Sequence, residues 1–387
     1  MITGSTELAS LIDQIESADR VAVDTEADSL HSYREKLCLL QISVAPAGSG
    51  SGDDHARQRL IPSDEFTRGV CDYIVDPLAN IDLQTLRREL ETREVVLHGA
   101  DYDLRMLRRG LNFVASRIFD TLIAARLLGI REFSLAALVK RYLGRELLKG
   151  SQKANWAQRP LPARMAEYAI NDVHYLLPLA QKLESELDRC GRLQWLRQSC
   201  QRAIEQAAVA RVRSTDDLWR IRGSGSLRGR AAAILRALWQ WREKEAEIAD
   251  RPPFHILQND DILKAALKFA SGSVPDYKHF SPRRRQAFRE AGQSGLQTPE
   301  SKWPVPRPRL GTRPSVETTR RTDELRRQRD KSAEELGLEA SFIAPRSTLE
   351  AISSDQTRAA ALLVPWQCEL LRLSISTVTP KSVAGSL

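Results

Sequence analysis

The sequence predicts an α/β domain built on a mixed sheet, followed by all-helical units. Three observations lead there. Five short apolar runs lie between residues 20 and 130, closely spaced at first and separated by helix-like segments later. From Leu135 onward the apolar spacing becomes helical. The chain has 387 residues, enough for two or three domains.

The first run, Val21-Ala22-Val23-Asp24, ends in acid. Leu37 to Val44 is a near-continuous apolar stretch that reads as a buried strand. Tyr73-Ile74-Val75-Asp76, Val95-Val96-Leu97-His98 and Arg117-Ile118-Phe119-Asp120 follow. Close spacing of the early strands argues for an antiparallel meander. A helix such as Asp101 to Arg109 between the later ones argues for parallel pairing. Residues 45–54 are rich in Gly, Ser and Ala and read as a surface insertion.

Further on, Ser214-Thr215-Asp216-Asp217 has the look of a helix start. Ala231, Ile234, Leu235, Leu238 and Trp241 share one helical face, and Pro252-Pro253 stops that helix. Asp260-Asp261 opens another. Pro, Arg, Ser and Thr dominate the stretch before residue 322, which reads as a linker. The expected division is 1–205 for the α/β domain, 212–290 for a helical domain, 291–322 for a basic linker and 323–377 for a second helical unit.

With 42% hydrophobic and 28% charged residues, the composition is that of an ordinary soluble protein. The first residues lack a basic segment followed by an apolar run, so no secretory signal is expected. No stretch approaches the roughly 18 uncharged apolar residues of a membrane helix. Five scattered cysteines form no Cys-x-x-Cys pair and no zinc spacing, which fits a reducing cytoplasm. The net charge is +8, and residues 283–330 hold 13 Lys and Arg against 6 Asp and Glu. Such a local excess suits phosphate contact by counterion release, although a solvated linker would look the same.

Asp24-Thr25-Glu26 places two carboxylates on one face at the end of a strand. Side by side they repel unless a cation lies between them. Alone, the pair equally suits a solvated strand end or a helix cap. Asp101 and Asp103 follow the fourth strand in the first turn of a helix, where acid favours the helix dipole. Sequence physics alone does not choose between them. Tyr168 and Asp172 stand one helical turn apart, so a phenol and a carboxylate share a face. An all-oxygen set points to Mg²⁺ or Mn²⁺. Phosphodiester cleavage suits two such ions, one activating water and one stabilising the departing 3′ oxygen.

At these residues the chain resembles the DEDD-type 3′–5′ exonucleases of the subtype with a tyrosine in the third motif, and within them bacterial ribonuclease D. Asp24-Thr25-Glu26 matches the first motif, Asp103 within Leu97 to Leu104 the second, and Tyr168 with Asp172 the third. Leu37 to Ile42, Phe119-Asp120-Thr121, Gln152 to Trp156 and Arg159-Pro160-Leu161 extend the match over roughly 180 residues. The resemblance implies a ribonuclease H-like mixed sheet. It also implies that Asp24, Glu26, Asp103 and Asp172 bind the two metals, leaving Asp101 a neighbour, and that Tyr168 positions the water.

Residues 212–285 resemble the HRDC domain through Leu218 to Ile221, Leu238 to Glu243, Asp250 to Pro253 and Asp260 to Leu263. A fainter second copy is expected around Leu336-Gly337-Leu338, Ala344-Pro345-Arg346 and Trp366. Trp239 and Trp241 invite a base-stacking reading, but Trp241 fits the apolar stripe and reads as core. The family's substrates imply RNA 3′ ends, such as tRNA precursors.

Leu30, His31 and Tyr33, just beyond the first motif, are candidates to touch the terminal nucleotide. Lys153 is a candidate phosphate contact, with Lys149 and Arg159 beside it. Three readings compete: an exoribonuclease, an exonuclease acting on single-stranded DNA, and a non-catalytic nucleic-acid-binding scaffold. The metals see only the phosphodiester, so the motifs do not separate the first two; 2′-hydroxyl contacts would. The scaffold reading predicts a lost acid, and all four acids and the tyrosine are present.

Overall fold

Five short apolar runs build a five-stranded sheet in the order β3-β2-β1-β4-β5. The strands are β1 (Arg20–Ala27), β2 (Leu37–Val44), β3 (Cys71–Val75), β4 (Glu94–Leu97) and β5 (Arg117–Asp120). This is a computed structural model, and it describes residues 1–45, 61, 64–147, 150, 152–209, 217–305 and 315–373. The insertion at 46–54, Lys149 and the helix start expected at Ser214 to Asp216 lie outside the described residues.

β1 pairs antiparallel with β2, and β2 with β3; β1 pairs parallel with β4, and β4 with β5. The meander and the parallel half both follow the expected spacing. Every residue of β2 is buried, because the sheet is covered on both faces, and this explains its unbroken apolar run. The helices of this part are α1 (Ser5–Glu16), α2 (Gln84–Thr92), α3 (Asp101–Leu111), α4 (Thr121–Leu127), α5 (Leu135–Leu143), α6 (Ala163–His174), α7 (Leu176–Arg189) and α8 (Leu193–Ala208).

Two helices matter most for the site. α6 lies on the face that carries Leu39 and Ile74, where Tyr168, Ala169 and Ile170 pack with the buried Trp156. α3 approaches the sheet closely because Gly110 has no side chain: a Cβ there would lie 3.0 Å from Leu37. The turn before α3 is pinned by Asp120, whose carboxylate accepts the amides of Gly99 at 2.9 Å and Ala100 at 2.8 Å. The same carboxylate caps α4 through Leu122 and Ile123.

The second core is helical. α9 (Gly229–Ile248), α10 (Pro253–Ile256), α11 (Asn259–Ala270) and α12 (Pro282–Leu296) enclose Leu235, Leu238, Trp241, Phe269 and Phe288. Trp241 is core, as its spacing implied. The linker expected over 291–322 is corrected at both ends. α12 runs to Leu296, and α13 (Val316–Leu336) begins well before residue 322. Gly292 and Gly295 are packing positions. A Cβ on Gly295 would meet the Ile234 backbone at 2.6 Å, and one on Gly292 the Phe269 ring at 2.3 Å.

The last helices, α14 (Ala340–Ile343), α15 (Arg346–Ser354), α16 (Ala359–Leu362) and α17 (Pro365–Leu370), share the core of the first domain. Trp366 stacks on Trp195 of α8 at 5.0 Å between ring centres and donates its indole N–H to Ser199. Arg192 donates to the carbonyls of Leu127 and Leu336, tying α4 to the end of α13. No helix among the described residues is long and apolar enough to cross a membrane.

Candidate active site

Three segments far apart in sequence converge at the end of β1. Asp24 and Glu26 project from one face of the strand, and Asp172 comes from α6 above that face. One carboxylate oxygen from each lies within 4.8 Å of the others. Thr25 alternates to the opposite face. There its hydroxyl donates a 2.6 Å hydrogen bond to Asp103, which α3 brings in. Asp103 is buried, whereas Asp101 is exposed and ion-paired with Arg105 one turn on. Of the two acids between which sequence physics did not choose, Asp103 is turned inward and Asp101 outward.

The electrostatics are those of uncompensated negative charge. Burial raises Asp24 well above the ordinary carboxylate range, with Asp103, Asp172 and Glu26 adding to it. Burial, then Asp172 and Asp103, pushes Glu26 up to about 9. Asp172 is pushed up by burial to about 7, although Tyr168 holds it down through a hydrogen bond. Burial takes Asp103 to about 6, opposed by the bond from Thr25. Among the described residues no Lys or Arg forms an ion pair with any of the four.

A divalent cation fits this donor set. All four groups are hard carboxylate oxygens, among the described residues no Cys or His joins the cluster, and their mutual repulsion is the term a cation would cancel. A second observation agrees. Gln41 stands opposite Asp24 in the β1–β2 register and is fully buried, yet neither atom of its amide has a hydrogen-bond partner. A buried amide with no partner is costly. Here it sits beside the acids whose counter-charge and hydration the described residues do not supply.

Tyr168 lies against Asp172, and its ring centre is 6.1 Å from that of Trp156. Burial and the nearby Asp172 and Glu26 raise its hydroxyl well above its ordinary value, so the phenol keeps its proton. A protonated phenol at this position can donate or accept a hydrogen bond. Trp156 is a buried packing wall.

The outer candidates divide. Leu30 is 39% exposed. His31 Nε2 is 3.2 Å from the Lys153 carbonyl, and the Lys153 side chain faces solvent, so these three form one rim. Tyr33 does not join them: its ring packs on the helical core and its N–H donates to Asp250. Arg159 is held in a bidentate pair with the buried Asp76, both contacts at 2.6 Å. In the basic stretch, Arg283 and Arg284 both reach the buried carboxylate of Glu245, which removes two cations from the expected phosphate surface.

Thr25, Gln41 and Asp120 were missed as contributors to the site. Gln41 carried a signal: with Ser43 it is a polar residue in an otherwise apolar strand. Asp120 gave only the sign of an ordinary helix cap.

Residues 1–188 match the 3′–5′ exonuclease family, and residues 231–270 match the HRDC domain. Ribonuclease D of Zymomonas mobilis is 32% identical over 276 residues, covering 69% of this chain and 63% of that protein. Ribonuclease D of Sphingobium indicum is 31% identical over 271 residues with the same coverage. The matched region thus spans just under two thirds of these relatives. Among solved structures, Escherichia coli RNase D, an exoribonuclease involved in structured RNA processing, superposes with a TM-score of 0.67. It is 23% identical, with 96% of each chain covered, and this likeness speaks for the fold, a ribonuclease H-like sheet followed by helical domains.

Proposed function

We propose that this chain, which belongs to the ribonuclease D family of 3′–5′ exonucleases and carries an HRDC domain, hydrolyses RNA from its 3′ end. The observation that carries the reading is that Asp24, Glu26 and Asp172 bring carboxylate oxygens within 4.8 Å of one another, with Asp103 near enough to add to their repulsion, while among the described residues no Lys or Arg is ion-paired with any of the four. Two Mg²⁺ or Mn²⁺ ions, held by Asp24, Glu26, Asp103 and Asp172, would activate water and neutralise the departing 3′ oxygen.

The chain's own groups do the rest. Thr25 fixes Asp103 by its hydroxyl. Tyr168 stays protonated and bonds Asp172, so its oxygen is free to accept a hydrogen bond from the attacking water and orient it. At the rim, Leu30 offers an apolar surface to the terminal base, and His31 and Lys153 stand where a phosphate would pass. The helical domain supplies further contact with RNA such as a tRNA precursor, in the cytoplasm. The exonuclease unit of residues 1–205 and the helical units after it are read as separate domains, with the last one serving the exonuclease core.

The test offers the full chain a 3′-extended tRNA and a matched single-stranded DNA, with Mg²⁺ or Mn²⁺ and with chelator. Release of mononucleotides from the RNA 3′ end, lost with chelator, supports the reading. Equal or faster attack on the DNA would overturn the RNA preference.

A further inference from the structure

We propose that the loop from Asp28 to Lys36, between β1 and β2, is a strut through which the helical domain sets the geometry of the catalytic cleft. In this role the helical domain promotes cleavage itself, and not only capture of the substrate. The inference rests on the exonuclease reading above.

The loop is braced from within. The buried Asp28 accepts from the Ser32 hydroxyl at 2.5 Å and the Lys36 amide at 2.7 Å. Its carbonyl accepts the amides of His31 and Ser32. A loop tied so closely to one buried carboxylate moves as a unit.

Three edges of that unit touch three different parts of the protein. On the first, His31 meets the Lys153 carbonyl at the rim, beside Leu30. On the second, Glu35 accepts from the Tyr102 hydroxyl at 2.5 Å and pairs with Arg109 at 2.6 Å. Both partners belong to α3, and Tyr102 adjoins Asp103. The third edge meets the end of α9: the Tyr33 amide donates to Asp250 at 3.1 Å, Arg34 pairs with Glu247 at 2.9 Å, and Lys36 lies 3.8 Å from Asp250. The Tyr33 ring is packed on the helical core, near Glu243.

Exposed ion pairs contribute little singly. This joint is more than a set of ion pairs, because a backbone hydrogen bond and an inserted aromatic ring fix its orientation. Asp250 holds a left-handed backbone with φ of +43°, which non-glycine residues seldom adopt. Its carboxylate reaches both Tyr33 and Lys36 from that position. Small displacements of catalytic groups cost large factors in rate. A joint linking α9, α3 and the rim through one braced loop is suited to prevent them.

A substrate too short to reach the helical domain separates this from simple RNA capture. The experiment compares wild-type and Asp250→Gly full-length chains on a diribonucleotide and on a longer RNA, with hydrogen exchange measured over residues 28–36. Glycine tolerates the positive φ, so the change removes the carboxylate without straining the backbone. The strut predicts that kcat on the dinucleotide falls by roughly tenfold and that loop exchange quickens. Asp250→Asn keeps an acceptor for the Tyr33 amide and should stay within about twofold of wild type.

Dinucleotide hydrolysis at the wild-type rate by Asp250→Gly, with or without weaker attack on the longer RNA, would overturn the proposal. If the wild type cleaves none of these substrates, the exonuclease reading fails instead. Exchange then decides the strut, unchanged protection counting against it and faster exchange for it.

Discussion

Thr25 and Asp103 are joined across the end of β1 by a 2.6 Å hydrogen bond, although 78 positions separate them. The bond opposes the effect of burial on Asp103, which still reaches about 6. It therefore makes this acid easier to ionise than burial alone would leave it. Thr25→Val removes the donor while keeping the shape of the side chain. Metal affinity and kcat/KM should each fall by roughly tenfold, the worth of one hydrogen bond to a charged group. Thr25→Ser should restore both. Titration of Mn²⁺ binding alongside rates checks this, and an unaffected valine variant would separate Asp103 from the site.

Asp101 and Asp103 provide an internal control. Asp101 is exposed and its pair with Arg105 is an ordinary contact within one helix, so Asp101→Asn should leave activity within about twofold and stability nearly unchanged. Asp103→Asn should abolish hydrolysis while substrate binding persists. Steady-state rates of the two variants decide it, and the reverse pattern would refute the inward assignment of Asp103.

The raised carboxylates fix the sign of a pH effect on the metal-free protein. Their ordinary values are 3.8 for Asp and 4.5 for Glu; folded, Asp103 stands at about 6, Asp172 at about 7 and Glu26 at about 9. The folded state thus holds more protons than the unfolded chain, so stability falls as pH rises through this window. With chelator, the thermal midpoint should be higher at pH 5 than at pH 9. Mg²⁺ or Mn²⁺ should flatten that slope by replacing the protons, and Asp24→Asn should make it shallower without metal. Thermal melts across the window check this.

The buried amide of Gln41 serves no hydrogen bond among the described residues. Gln41→Leu should be neutral or slightly stabilising to the metal-free fold, because it removes an unpaired polar group. It should nevertheless weaken divalent-ion binding, because the amide faces Asp24. Calorimetric titration of the variant tests the second part. Unchanged affinity would make the amide a packing residue only.

Much of this arrangement was legible in the chain, because strand alternation and helical spacing are local. The pair Asp24 and Glu26 on one face, Tyr168 and Asp172 one turn apart, and the five strands all follow from period alone. What was hidden depends on contacts distant in sequence. Nothing near Asp103 distinguishes it from Asp101; the difference lies in Thr25, on another strand. Tyr33 resembled its neighbours Leu30 and His31, and only the end of α9 explains why it points elsewhere. The end of α12 was hidden for the same reason: Gly292 and Gly295 sit at tight crossings with Phe269 and Ile234, which are distant in sequence.

Trp366 gives the last helices a role in stability. It is 1% exposed, stacked on Trp195 and bonded to Ser199. Trp366→Ala should cost about 3–5 kcal/mol, as large aromatic truncations in cores do. Denaturant melts of the whole chain should show the loss in the exonuclease transition. A loss confined to a separate, minor transition would mean that the last helices fold apart from it.

The proposed metal-dependent exonuclease activity from the 3′ end depends on Asp24, Glu26, Asp103 and Asp172. The most direct measurement follows a 5′-labelled RNA with a single-stranded 3′ tail, with Mg²⁺, for the wild type and for Asp24→Asn. The wild type should give a ladder shortening one nucleotide at a time from the 3′ end. Asp24→Asn should leave the RNA intact and still bound. Shortening by Asp24→Asn at the wild-type rate, or internal cuts in place of a ladder, would contradict the proposed activity.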